Sequence, residues 1–309
     1  MKTGLISFVI LTYKNFSGIY DTLDSLFMQD YPDIEIVISD DCSPDAQMEL
    51  DRVEKYIDTH KGPNISNVII RRGEVNLGTV RNINAAIKLC NGEYIKDFGA
   101  EDMLANEHVL SRYREFLDAS GCLICCAKVQ GVTPDGEIKN ALASCAEDYD
   151  VLDRYTPTEL RNRLFWRNCL PSPAMFMKRE LYDKYGYYDE NIRLIEDYPY
   201  WLHLCSAGAK IAFLDERLIT YKLSGVSSAG NYSRMFMEDM VRIYDKYIFP
   251  YDKRYGIFQG FYNHLKREGL GAYIAKADWD DYSTGQRVLA NVRYGPFFFY
   301  IWASNLKYK

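Results

Sequence analysis

The run Leu5 to Leu11 (LISFVIL) is apolar but for one serine, the length and character of a strand buried on both faces. Behind it, Ile19, Leu23, Leu26 and Phe27 fall at helical spacing. The alternation continues: IEIVIS reads as a second strand, Asp45 to His60 as a helix with Leu50, Val53 and Ile57 on one face, and NVIIRR as a third strand. Val80, Ile83, Ile87 and Cys90 line a third helix, and GEYIKDF is strand four. Strand and helix in strict turn predict parallel strands with right-handed crossovers, an arrangement that binds ligands at the carboxyl ends of its strands.

Beyond residue 130 the pattern is mixed. TPDG marks a tight turn, PAMFMK a strand, RELYDKYG a helix stopped by Gly186, and YPYWLHLCSAG a helix stopped by Gly208. KIAFLD and RLITYKL read as two further strands. From about Tyr232 the chain turns helical and rich in aromatics, which predicts a separate C-terminal lobe.

Composition narrows the class. The 309 residues are 48% hydrophobic and 26% charged, enough to bury a large core. A net charge of −6 argues against nucleic acid as a partner. The N-terminal apolar run is short and lacks a small-residue cleavage site, and no stretch reaches the roughly 20 apolar residues of a membrane-spanning helix, so the expected location is cytoplasmic. Eight cysteines are scattered and read as reduced thiols; Cys122, Cys125 and Cys126 lie along a strand, where residues three apart point to opposite faces and do not chelate one metal.

The residues with chemical potential follow the strands. A dinucleotide fold would place GxGxxG after the first strand; here stands Thr12-Tyr13-Lys14-Asn15, whose tyrosine suits either stacking on a base or packing over the sheet end. The second strand ends in Ser39-Asp40-Asp41-Cys42-Ser43-Pro44-Asp45, carboxylates able to accept from a base N–H or a ribose hydroxyl, or to cap the next helix. The fourth is followed by Gly99-Ala100-Glu101-Asp102, hard oxygen ligands for Mg²⁺ or Mn²⁺ or else a charged first turn. Glu196-Asp197 precedes a helix; a carboxylate there can act as general base, as N-cap, or both.

Taken in order, TYKN, SDDCSPD, NLGTVRNINAA, GEYIKDFGAED and IEDYPYWL resemble the family 2 inverting glycosyltransferases over roughly residues 4 to 228. The resemblance implies an α/β chain with the GT-A fold: a Rossmann-like, mostly parallel central sheet flanked by helices, with a mainly helical C-terminal extension. It implies a glycosyltransferase domain over 1–228, its nucleotide-binding half at about 1–103 and acceptor half at about 104–228, then an aromatic-rich region over 229–309. By the same resemblance Tyr13, beside Thr12, stacks on uracil, Asp41 binds the base, and Asp40 sits beside the ribose. Arg81 and Asn82 lie near the nucleotide. Glu101 and Asp102 carry the Mn²⁺ or Mg²⁺ ion and the nucleotide's phosphates, while Asp197, next to Glu196, is the base. The implied reaction moves a sugar from a nucleotide diphosphate sugar, a UDP-sugar, to the hydroxyl of a glycan or lipid-linked glycan acceptor in surface polysaccharide synthesis.

Two positions depart from the family pattern: Gly99 replaces the first acid of the DxD motif, and Lys14 replaces an asparagine. Residues 220–231 (TYKLSGVSSAGN) resemble a lid over the donor phosphates, in which Lys222 or Ser224 would touch phosphate unless the segment is an ordinary connection. The ending PFFFYIWASNLKYK, with Lys307 and Lys309, suits peripheral contact with a membrane, and packing on the main domain or in a homodimer equally. Two other functions stay open: a sugar-nucleotide pyrophosphorylase, which would carry a Gly-rich basic loop after strand one, and a non-catalytic descendant that binds a sugar nucleotide or glycan.

Overall fold

The computed structural model describes residues 1–132, 138–139, 148–222, 233–252 and 257–306. The chain forms two compact units, Met1–Glu190 with Glu196–Ala229, and Asn191–Ile195 with Gly230–Lys309.

The first unit opens with the expected alternation: β1 (Lys2–Thr12), α1 (Ile19–Phe27), β2 (Ile34–Asp40), α2 (Ala46–His60), β3 (Ile65–Arg72), α3 (Thr79–Leu89) and β4 (Gly92–Gly99). There follow β5 (Met103–Leu104), α4 (Val109–Ser120), β6 (Ile124–Val132), β7 (Ile138–Lys139), α5 (Tyr149–Arg154), α6 (Pro157–Leu164), β8 (Met175–Lys178), α7 (Arg179–Tyr185), α8 (Asp197–Ser206) and β9 (Ala212–Lys222). Among the described residues all nine strands join one sheet in the order β3-β2-β1-β4-β8-β6-β9-β5, with β7 on β6. β1 to β4 are mutually parallel, and β8 turns antiparallel against β4. Every residue of β2 is buried, as a parallel strand covered on both faces requires. The apolar faces named above supply the covering: Ile19, Leu23 and Leu26 on α1, Leu50, Val53 and Ile57 on α2, and Val80, Ile83 and Ile87 on α3 are all within the core.

Three segments differ from the sequence reading. KIAFLD and RLITYKL are one strand, β9, because a bulge in its pairing with β6 absorbs the polar Asp215-Glu216 break, where Lys128 pairs with Asp215 and Arg112 with Glu216. PAMFMK begins its strand only at Met175, since a 3₁₀ turn over Ser172–Ala174 accommodates Pro173. β5 is two residues long, too short for any periodicity to reveal. The turn expected at TPDG and the lid from residue 223 onward lie outside the described residues.

The second unit contains α9 (Arg234–Ile243), a π-helical turn, α10 (Phe249–Asp252), α11 (Ile257–Ala277) and α12 (Thr284–Leu306). Asp239, fully buried on α9, accepts from the backbone N–H groups of Arg193 (3.0 Å) and Leu194 (2.7 Å) and pairs with Arg242, which fixes the 191–195 segment to this unit. α11 and α12 approach closely at Gly271, where a Cβ would meet the Tyr294 hydroxyl at 2.7 Å. Phe298 packs edge-on against Trp279, so part of the C-terminal aromatic run is spent inside the unit. No described helix is long and apolar enough to cross a membrane, and Lys307 and Lys309 lie outside the described residues.

Candidate active site

Strand register brings the first three sequence motifs to one rim. Thr12 pairs with Asp40 across β1 and β2, and Leu11 with Gly99 across β1 and β4, so the three parallel strands end level. The loop after β1 then spans the other two. Lys14 N–H donates to Ser43 Oγ at 2.7 Å, and the Asn15 side-chain amide donates to the Glu101 carboxylate. Lys14 (φ +57°) and Cys42 (φ +65°) both occupy the left-handed region, strain of about 1–2 kcal/mol each that favours glycine and collects at functional rims.

The nucleotide-side residues divide into two groups. Tyr13 is 44% exposed, with the Lys14 ammonium 4.9 Å from its ring centroid. Arg81 is exposed on α3, 3.8 Å from Glu190. Asp41 carries the β3–α3 loop, accepting from Leu77 and Gly78 N–H at 2.8 Å each. The side chains of Thr12, Asp40 and Asn82, like that of the buried Asp41, are committed within the protein. Asp40, fully buried, accepts from Ser43 N–H (2.8 Å), Ser43 Oγ (2.5 Å) and Thr12 Oγ1 (3.1 Å), which closes the turn after β2. Asn82 accepts from Ser39 Oγ (2.7 Å) and Arg71 (2.9 Å) and donates to Ser39 O, pinning α3 to β2. The carboxylate of Asp40 thus shapes the rim from beneath.

The acidic stretch after β4 also splits. Glu101 is partly exposed and is held against the first loop, whose Gly18 leaves no room for a side chain: a Cβ there would meet Ala100 O at 2.6 Å and Glu101 Cγ at 2.7 Å. Asp102 is buried, and loss of solvent lifts its carboxyl to about 7 despite the Lys96 ammonium. Among the described residues no group of three or more His, Cys, Asp and Glu is arranged to hold a metal. One reachable hard carboxylate, Glu101, cradled by Gly18, nonetheless fits an ion that takes few protein ligands and completes its shell with diphosphate and water. At Gly99 an added Cβ would meet only Asp102 Oδ2, at 3.7 Å, so steric necessity does not explain the glycine.

Glu196 and Asp197 open α8 and are both half-buried. Asp197 accepts from Tyr198 N–H (2.6 Å) through Oδ1 and from Asn168 Nδ2 (2.7 Å) through Oδ2. Withdrawal from water pushes its carboxyl upward, and those two donors hold it back. Glu196 is pushed upward more strongly, by burial and then by the charge of Asp197. The pair therefore favours one ionised and one protonated member, with Asp197 the better-supported anion.

Four further residues take on their meaning only in the folded chain. Asn168 stands 29 positions from the aspartate it supports, and Asn15, visible in TYKN, gains its meaning only from Glu101. Lys96 and Asp97 are a polar pair inside an otherwise buried strand, an anomaly legible in GEYIKDF. Lys96 is fully buried, donating to Asp97 O (3.0 Å) and Pro173 O (2.6 Å), and desolvation lowers it to about 8.

Over 174 residues the chain is 31% identical to abequosyltransferase RfbV of Salmonella typhimurium, a match covering 56% of this chain and 50% of that one. It is 25% identical over 218 residues to the poly(ribitol-phosphate) beta-N-acetylglucosaminyltransferase TarS of Staphylococcus aureus, covering 70% of this chain and 35% of TarS. The chain thus spans about half of the first relative and about a third of the second. In fold it resembles S. aureus TarS 1–349 in complex with UDP-GlcNAc (TM-score 0.60, 19% identity, 94% of this chain and 80% of that one). It also resembles the mannosyltransferase PcManGT of Pyrobaculum calidifontis in complex with GDP-Man and Mn²⁺ (TM-score 0.56, 16% identity, 96% and 82%). The architecture is the expected GT-A arrangement. The family model described as glycosyl transferase family 2 matches residues 7–186, from the first buried strand past α7, and with more than half its length so matched the chain belongs to that family.

Proposed function

We propose that this chain moves a sugar from a UDP-sugar to an acceptor hydroxyl, inverting the anomeric centre, as a step in building a surface polysaccharide. The observation that carries the reading is the level ending of β1, β2 and β4, which sets Tyr13, Asp41 and Glu101 along one rim. The half-buried Glu196-Asp197 pair supplies the remaining chemistry. Tyr13 offers a face to the base, and Asp41 retains acceptor capacity beyond its two backbone bonds. Glu101 would hold Mn²⁺ or Mg²⁺, which when bound neutralises charge growing on the diphosphate. Asp197 takes the proton of the acceptor hydroxyl as that oxygen attacks the anomeric carbon and the carbon–phosphate oxygen bond breaks. A glycan, free or lipid-linked, is the acceptor class we propose; TarS, by its name, acts on poly(ribitol-phosphate), another hydroxyl-bearing polymer.

The test is a thermal-shift screen of UDP-, GDP- and dTDP-sugars with Mn²⁺, followed by NMR of the first-formed sugar anomer on donor hydrolysis. A ligand at 100 times its dissociation constant stabilises by about 2.7 kcal/mol, several degrees in melting temperature. Selective stabilisation by UDP-sugars and inversion are expected; retention of configuration overturns the mechanism.

A further inference from the structure

The base proposed above is reached through chain without regular structure. Between α7 and α8, residues 186–196 form neither helix nor strand, so no backbone ladder fixes the stretch that leads into Glu196 and Asp197. Side chains hold it instead, at two points. On the early side Asn84 of α3, buried, accepts from Tyr188 N–H (3.2 Å) and donates to Tyr188 O (2.9 Å) and Glu190 Oε1 (3.1 Å). On the late side stands Asp239 of α9. Its Oδ2 accepts from both Arg193 N–H (3.0 Å) and Leu194 N–H (2.7 Å), while Oδ1 accepts from Arg242 (3.0 Å).

Asp239 is fully buried, and a buried carboxylate is costly unless its partners repay the loss of water. Here one of its two oxygens is spent on the backbone of a segment 45 and 46 positions away, at the two amides that stand three and four residues before Asp197. Ile192 and Ile195, on either side of those amides, are buried as well. The segment Asn191–Ile195 accordingly belongs to the C-terminal unit, although Glu190 before it and Glu196 after it belong to the first. We propose that Asp239 is a positioning residue for Asp197: through Asn191–Ile195 the C-terminal unit fixes where α8 begins and so where the base stands. The link to catalysis rests on the reading of Asp197 as base; the hold on the segment does not.

Native-state hydrogen exchange of the parent chain tests the hold by itself. The Arg193 and Leu194 amides should be protected and should open with the same denaturant dependence as α9; exchange at the rate of an unbonded loop amide overturns the proposal. A double-mutant cycle tests the consequence, with turnover read as UDP release from the donor that the thermal-shift screen selects. Asp239→Ala should lower kcat by about tenfold or more, since a 1 Å misplacement costs about 10²-fold, with UDP affinity unmoved. Asp239→Asn, which keeps an oxygen to stand where Oδ2 does, should recover most of that loss. In an Asp197→Asn background Asp239→Ala should cost nothing further, because a residue that no longer accepts the proton has no position left to lose. An equal fold loss in both backgrounds, or undiminished kcat in a folded Asp239→Ala chain, overturns the positioning role. Parental turnover in Asp197→Asn alone, with the two amides still protected, would overturn it through the base and not through Asp239.

Discussion

Replacing Asn168 by leucine removes one of the two donors that keep Asp197 ionised, its 2.7 Å hydrogen bond to Oδ2, and spares the Tyr198 N–H on Oδ1. A hydrogen bond to a charged acceptor contributes about 1.5–3 kcal/mol. Because it favours the ionised form, its loss raises the carboxyl, and at 1.36 kcal/mol per unit the rise is about one to two units. The acid limb of kcat/KM for donor cleavage should therefore move up by that amount, with near wild-type rates on the alkaline plateau. Nucleoside diphosphate release, followed by a coupled assay across the pH range, reads this directly. An unmoved limb with a uniform fall in rate would mean that Asn168 merely orients the side chain. A limb moved to lower pH would refute the electrostatic reasoning altogether.

Other consequences follow from neighbouring residues. Glu101→Gln should abolish the gain in UDP affinity that Mn²⁺ confers, measured by calorimetry with and without the ion, while binding of UDP alone persists. Gly18→Ala places a methyl against Ala100 O and Glu101 Cγ and should destabilise the first unit by about 1–3 kcal/mol in chemical denaturation. Asp102 has a folded value of about 7 against an ordinary 3.8, so the folded state binds the extra proton and stability is lost as pH rises from about 4 to 7. Asp102→Asn should accordingly melt higher than the parent chain at pH 8, with the advantage gone near pH 4, as differential scanning calorimetry in the absence of metal would show.

Much of this architecture can be read from the chain because β1 and β2 are largely apolar runs and α1 to α3 each present a single apolar face. The acidic stretches are equally visible, each placed directly after a strand or before a helix. What the sequence conceals is which way a carboxylate turns. Asp40 and Asp41 are adjacent and chemically identical, yet Ser43 and Thr12 draw the first inward while the β3–α3 loop claims the second. Glu101 and Asp102 part in the same way, one toward Asn15 and the other into the core. Periodicity also misjudges β9, since a bulge lets a strand continue through charged residues that a hydropathy pattern takes for a turn. Partners distant in sequence, Asn168 for Asp197 above all, emerge only once the chain is folded.

In the proposed reaction a nucleotide sugar bound along the strand ends gives up its sugar to a hydroxyl activated by Asp197. Parallel measurement of UDP-sugar turnover and UDP affinity in Asp197→Asn, with Mn²⁺ present, tests it most directly. A general base contributes about 10²- to 10⁴-fold, so turnover should fall by that factor while UDP affinity stays as in the parent chain. Undiminished turnover, or affinity lost together with it, would rule out Asp197 as the base.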